Sequence, residues 1–203
     1  LTLENVYSIK ITDNAGLVTS ENRTVVLDKT KPIPTITGPV LDDTYIKTGT
    51  YNFKGGAADA LSGVASISVQ FDMNAPVSLD PGLTWAYEEP LSGYSEGSSH
   101  TLTVTVVDKA GNSETATRTF YVDRAVPELS ETTINTDATV YRNGSYILSG
   151  TADDESGILS VSAKRNGVDI ALTVTDGVGT IKNWSYEDTN TTNGTNVFVI
   201  TAV

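Results

Sequence analysis

The chain has 203 residues, with 25 acidic against 13 basic side chains for a net charge of −12, one His and no Cys. That balance argues against nucleic acid and anionic membrane surfaces as partners. The missing Cys excludes disulfide staples, so each module must be held by its core alone.

Thr (30) and Ser (18) approach a quarter of the residues, which favours strands and turns over helices. No apolar run reaches the ~20 residues that span a bilayer.

In chain order, residues 1–29 predict two strands. In VYSIKIT, Tyr7, Ile9 and Ile11 alternate with Ser8, Lys10 and Thr12, the period of a half-buried strand. Asp13-Asn-Ala-Gly16 reads as a turn in which Asp accepts backbone N–H groups and Gly takes a positive φ. A second strand follows around Thr24–Leu27. Two strands make no independent core, so this stretch reads as the tail of a repeat. The chain opens in mid-pattern, with neither initiator Met nor signal peptide, and reads as an excerpt of something longer.

Residues 30–124 predict one complete module of seven short strands. PTITGP is a first edge strand and Tyr51–Ala57 the second. Val64–Phe71 follows, with Ala65, Ile67, Val69 and Phe71 facing inward. A short strand near Val77–Leu79 leads to Leu83–Tyr87, where Leu83, Trp85 and Tyr87 share a face. In TLTVTVV, Leu102, Val104 and Val106 alternate with Thr101, Thr103 and Thr105. Thr115–Val122 closes the module. Residues 125–203 repeat the plan without its last strand, and Phe198 and Ile200 should point inward.

Three collinear matches carry the repeat. Residues 13–32 and 108–127 align without a gap at an offset of 95, with seven of twenty positions identical. SGTADDESGILSVSA (149–163) matches GGAADALSGVASISV (55–69) at an offset of 94, with seven of fifteen identical. Trp184-Ser-Tyr186 answers Trp85-Ala-Tyr87. Shared β-rich composition does not produce three such matches in one order.

These residues resemble bacterial immunoglobulin-like repeats, the tandem modules of large surface adhesins and other secreted bacterial proteins. The features that match are G-T-A-D-x-x-S-G-I (150–158), W-x-Y (85–87), D-x-A-G-N (108–112) and the V-D-x-x-x-P linker (122–127). Leu17 departs from the Asn of D-x-A-G-N, which predicts a looser first turn. The resemblance implies an all-β chain of tandem immunoglobulin-like, Greek-key β-sandwich modules. It also implies a cell-surface or secreted location and a structural or adhesive stalk role that projects a distal binding domain. The partners it implies are neighbouring repeats and a host or cell-surface ligand reached through a domain outside this chain, with no membrane insertion. The alternative is a glycan-binding or enzyme-accessory module.

No catalytic or cofactor-binding set emerges, and the chain reads as no enzyme. A nucleophilic triad would need His100, whose counterparts are Asn5 and Thr195, so an exposed structural His is expected. Glu88 and Glu89 are adjacent strand residues and face opposite ways. Trp85 and Trp184 recur at equivalent positions and read as core rather than sugar-stacking platforms.

The remaining cluster is acidic. In an immunoglobulin-like sandwich the B–C and F–G loops lie at the end where the chain enters. Asp59 or Asp153 belongs to the first loop, Asp108 to the second, and Asp28 or Asp123 to the entering linker. Two sets follow: Asp28, Asp59 and Asp108 at one junction, and Asp123 and Asp153 at the next, with Asp154 as an added candidate and the F–G member cut off. Either they hold a structural Ca²⁺ between modules, or Asp59 and Asp108 only cap their own turns and Asp28 is a solvated linker charge. No D-x-D-x-D run decides between the two.

Overall fold

The structure, a computed structural model, describes residues 4–132, 139–189 and 193–203. Among them are seventeen strands and no α-helix. Packing divides them into two compact units. The first runs to Gly93 and takes in Ser99–Tyr121; the second comprises Tyr94–Ser98 and the chain from Val122.

β1 (Glu4–Thr12) and β2 (Val18–Val26) form an antiparallel two-stranded sheet. The turn between them is not loose. Asp13 Oδ1 accepts the Ala15 and Leu17 amides at 2.9 and 2.8 Å. Asp108 holds the Ala110 and Asn112 amides at the same two distances. Leu17 forfeits only the two side-chain bonds that Asn112 makes, to Asp108 Oδ2 and to the Asp28 carbonyl. Tyr7, Ile9 and Ile11 are 60%, 57% and 62% exposed, whereas their counterparts Leu102, Val104 and Val106 are fully buried. This hairpin presents to solvent the face that a complete module covers.

The first complete module is a sandwich. β3 (Ile33–Gly38), β5 (Thr50–Ala58) and β8 (Thr84–Pro90) form one sheet in that order. The facing sheet runs β4 (Thr44–Ile46), β10 (Ser113–Val122), β9 (Ser99–Asp108), β6 (Val64–Phe71) and β7 (Val77–Leu79). Along the chain β5 and β8 fall in the first sheet and the consecutive pairs β6–β7 and β9–β10 in the second, with the first strand split between both as β3 and β4. This is the Greek-key order of an immunoglobulin-like sandwich. Phe53, Ala57 and Trp85 from one sheet meet Ile67, Val69, Phe71, Val104 and Phe120 from the other.

Two face assignments need correction. Ala65 is exposed, because the β6–β9 register shifts between Val64 and Ser66 and a bulge turns it outward. Leu83 is 78% exposed; it precedes β8, and its carbonyl accepts the Ala57 amide. Gly55 explains how the first sheet closes. A Cβ there would overlap both the Thr35 carbonyl and the Trp85 indole, so only glycine lets the edge strand and the ring approach this closely.

The second module repeats the device. β11 (Glu128–Glu131), β12 (Tyr146–Asp153), β16 (Lys182–Asp188) and β15 (Thr173–Asp176) form one sheet. β14 (Val168–Ile170), β13 (Val161–Arg165) and β17 (Phe198–Ala202) form the other. Gly150 opposes Trp184 as Gly55 opposes Trp85, and a Cβ on Gly150 would strike the Ser130 carbonyl and the indole. Phe198 and Ile200 turn inward between exposed Val197 and Val199, as the alternation requires.

Candidate metal centre

Each of three loops or linkers delivers one carboxylate to a single point of the first unit. Asp28 follows β2, Asp59 follows β5, and Asp108 ends β9. One oxygen from each lies within 4.8 Å of the others.

Local turn chemistry sets each side chain. Asp59 Oδ1 accepts the Leu61 and Gly63 amides at 3.1 and 2.6 Å, with Gly63 at φ +79°. Asp108 Oδ1 takes the Ala110 and Asn112 amides, while its Oδ2 takes Asn112 Nδ2 at 2.8 Å. The Lys109 amide donates to the Gly63 carbonyl at 2.9 Å and ties the two loops together. Asp28 is then captured from both sides. Its Oδ1 accepts the Thr30 amide at 2.8 Å and its Oδ2 the Ser62 amide at 3.1 Å, while Asn112 Nδ2 donates to its carbonyl at 3.2 Å.

The electrostatics are one-sided. Among the described residues, no Lys or Arg makes an ion pair with any of the three. The Ser62 hydroxyl and then the Thr30 amide hold the Asp28 carboxyl below the ordinary carboxylate range. Asp59 Oδ2 is buried with no hydrogen-bond partner. Turn capping accounts for the other oxygen of Asp59, not for this one. A buried carboxylate oxygen without a donor is a costly arrangement.

The donor set fits a hard cation. Oxygens bound to one Ca²⁺ at 2.3–2.6 Å lie no more than about 5.2 Å apart, and the three carboxylates satisfy that limit as they stand. The absence of sulfur and imidazole ligands disfavours zinc and copper.

No family model matches the chain, and no curated protein matches it. Among solved structures, the fibronectin(III)-like modules of Clostridium thermocellum CbhA share 16% identity at a TM-score of 0.42, covering 84% of this chain and 85% of that one. A 1.5-MDa bacterial ice-binding adhesin shares 19% at 0.36, covering 97% of this chain and 71% of that one. The N-terminal eight Ig domains of Down syndrome cell adhesion molecule share 14% at 0.35. There 92% of this chain is covered, but only 26% of that one. Strand order, rather than these distant likenesses, carries the fold assignment.

The second junction differs from its expectation. The sequence match pairs Asp59 with Asp153, but the register that sets Gly55 and Gly150 opposite their Trp residues pairs Asp59 with Asp154. Asp154 is the buried member, and its Oδ1 accepts the Ser156 amide at 2.9 Å just as Asp59 accepts Leu61. Asp153 is exposed and accepts the Thr180 hydroxyl at 2.6 Å. Asp123 is half-buried after β10. Among the described residues these acids form no second group of three. The missed signal is one residue deleted between Asp154 and Gly157, which a gap-free comparison hides.

His100 is not the exposed residue its position suggests. Its side chain is 14% exposed, and Nδ1 lies 2.7 Å from Asp72 Oδ2. Trp85 and Trp184 are both buried, so neither is a sugar platform. Trp85 Nε1 donates to the Thr35 carbonyl at 3.2 Å.

Proposed function

We propose that this chain is a run of stalk modules from a secreted or surface-exposed bacterial protein, non-catalytic, and built to hold a distal binding domain away from its anchor. Its partners along the stalk are neighbouring repeats of the same kind. A host or cell-surface ligand is met by a domain outside these residues. The observation that carries the reading is the junction itself. The linker residue Asp28 is bound by two loops of the following sandwich, and the orphaned Asp59 oxygen faces a need that a cation meets. Ca²⁺ shared by Asp28, Asp59 and Asp108 ties linker and loops into one body, which suits a load-bearing joint. Without it, three like charges repel and the linker bends more freely. Buried Trp residues and polar outer strand faces favour this role over a glycan module that relies on exposed aromatic platforms.

Calorimetry on the chelator-stripped chain tests the joint. Ca²⁺ is expected to bind with a Kd of roughly 0.1–1 mM, the range of extracellular modules. Hydrogen exchange across residues 27–32 should slow with it. No binding at millimolar Ca²⁺, or binding undiminished in the pair Asp59→Ala with Asp108→Ala, sinks the proposal.

A further inference from the structure

The second module carries a groove of about 330 Å³ on the outward face of its four-stranded sheet. Register places six of its lining side chains in two rows across three strands: Ser149–Ser185–Thr173 and Thr151–Asn183–Thr175. Neighbours within such a row stand about 4.5–5.5 Å apart at Cβ. No lining residue is charged, although the chain carries −12. Among the described residues, the hydroxyls of Thr151, Thr173, Thr175 and Ser185 make no hydrogen bond within the protein, unlike Ser149, which contacts Thr132 at 3.0 Å.

The first module lacks this feature. Its corresponding sheet stops at β8, with no strand in the place of β15. Its outward positions include Lys54, Ala86 and Glu88. The groove is therefore not a by-product of the shared sandwich, but of the extra strand and an uncharged lining.

We propose that this groove binds a neutral oligosaccharide. Hydroxyl and amide groups both donate and accept, which matches the hydroxyls of an uncharged sugar. A cation finds no carboxylate here, and an acidic polysaccharide meets the net negative charge of the chain. The groove is only partly enclosed, which suits one or two units of a linked sugar chain rather than a single ring held on all sides. With Trp184 buried in the core and no ring to stack on, a single groove binds weakly. Repetition of such modules along a parent chain would raise the avidity. The site goes beyond the stalk role and does not depend on cation binding at the junction.

The test is an NMR titration of the ¹⁵N-labelled full chain with maltohexaose, cellohexaose and mannohexaose, with an oligogalacturonate as charged control. At least one neutral probe should give saturable shifts confined to Thr151, Thr173, Thr175, Asn183, Ser185 and their neighbours. Thr151→Val with Thr175→Val keeps shape and β-branching while removing two hydroxyls. It should weaken binding about tenfold or more without moving the thermal midpoint. Silence from all three neutral probes at about 50 mM, far above the millimolar scale of weak complexes, overturns the proposal. Equal binding of the charged control, unchanged binding by the double variant, or shifts on β5 and β8 instead would also overturn it.

Discussion

The two sandwiches share a scaffold and fill the same end of it by opposite means. In the first, Phe53, Phe71 and Phe120 form an aromatic cluster with ring centroids 4.9–6.3 Å apart, and Tyr87 lies 5.8 Å from Phe71. In the second, register puts Leu148 in the place of Phe53 and Arg165 in the place of Phe71. The vacated space holds a charge. Asp188, only 1% exposed, pairs with Arg142 and with Arg165 Nη1 at 3.4 Å. Arg142 also donates to the Asp188 carbonyl at 2.8 Å, and Arg165 Nε to Asn196 at 3.0 Å. Its counterpart in the first module, Glu89, sits opposite Tyr51 as Asp188 sits opposite Tyr146. The Gly–Trp lock is common to both modules, so it defines the scaffold. The filling of the far end is free to change provided every buried charge is answered.

That contrast can be broken most directly at Asp188. Removing the carboxylate by Asp188→Ala strands two partly buried guanidinium groups. It should cost roughly 3–5 kcal/mol, the usual penalty for deleting one partner of a buried pair. Replacing Asp188, Arg142 and Arg165 together by apolar residues should recover most of that loss, since a packed apolar set is often as stable as the ion pair it replaces. Urea unfolding of the second module would measure both. A mild single variant, or a triple variant worse than the single, would mean that the charges do not fill this end.

The shared lock predicts equal penalties in the two modules. Trp85→Ala should cost about 3–5 kcal/mol, as for any buried aromatic, and Trp184→Ala should match it. Gly55→Ala and Gly150→Ala force a Cβ into a backbone carbonyl and an indole ring. Each should cost on the order of 1–3 kcal/mol, the overpacking range. Thr103→Ala, on the outward face of β9, should stay within about 1 kcal/mol. If either glycine tolerates the methyl, or Thr103 rivals Trp85, the shared lock is wrongly drawn.

How much of this was legible follows from what each signal measures. Alternation in VYSIKIT and TLTVTVV located both β1 and β9, but it marks a buried face only in β9, since the apolar row of β1 is exposed where no facing sheet covers it. It could not register the bulge at Val64–Ser66, which changes pairing without changing composition. It could not place Leu83 either, whose apolar character suggested a strand face it does not reach. β15 was invisible because TVTD is exposed throughout and carries no burial pattern. The convergence of Asp28, Asp59 and Asp108 was readable from the repeat plan, since turn-forming Asp residues recur at the ends of strands that meet at one pole. The substitution of Asp154 for Asp153 was not, because it rests on a one-residue deletion that only the Gly150–Trp184 register exposes. Arg165 and Asp188 are far apart in sequence and look like surface charges until the fold places them together.

The smallest expected effect lies at Asp28, and it separates the two modules by pH. Hydrogen bonds from Ser62 and Thr30 lower its pKa in the folded state. A carboxyl so depressed stabilises the fold above its unfolded pKa of about 3.9. The contribution is lost as pH falls through the lower folded value. Asp28→Asn removes that charge, so the variant should melt slightly below the parent at neutral pH. The gap should close on acidification, below about pH 4. Proton and cation compete for the same oxygens, so Ca²⁺ should widen the gap at neutral pH and have no influence on it once the carboxyl is protonated. Melting followed through Trp85 should show the gap, whereas melting of the second module should be indifferent to the substitution at every pH. A gap that grows on acidification would reverse the sign of the linkage and remove Asp28 from the joint.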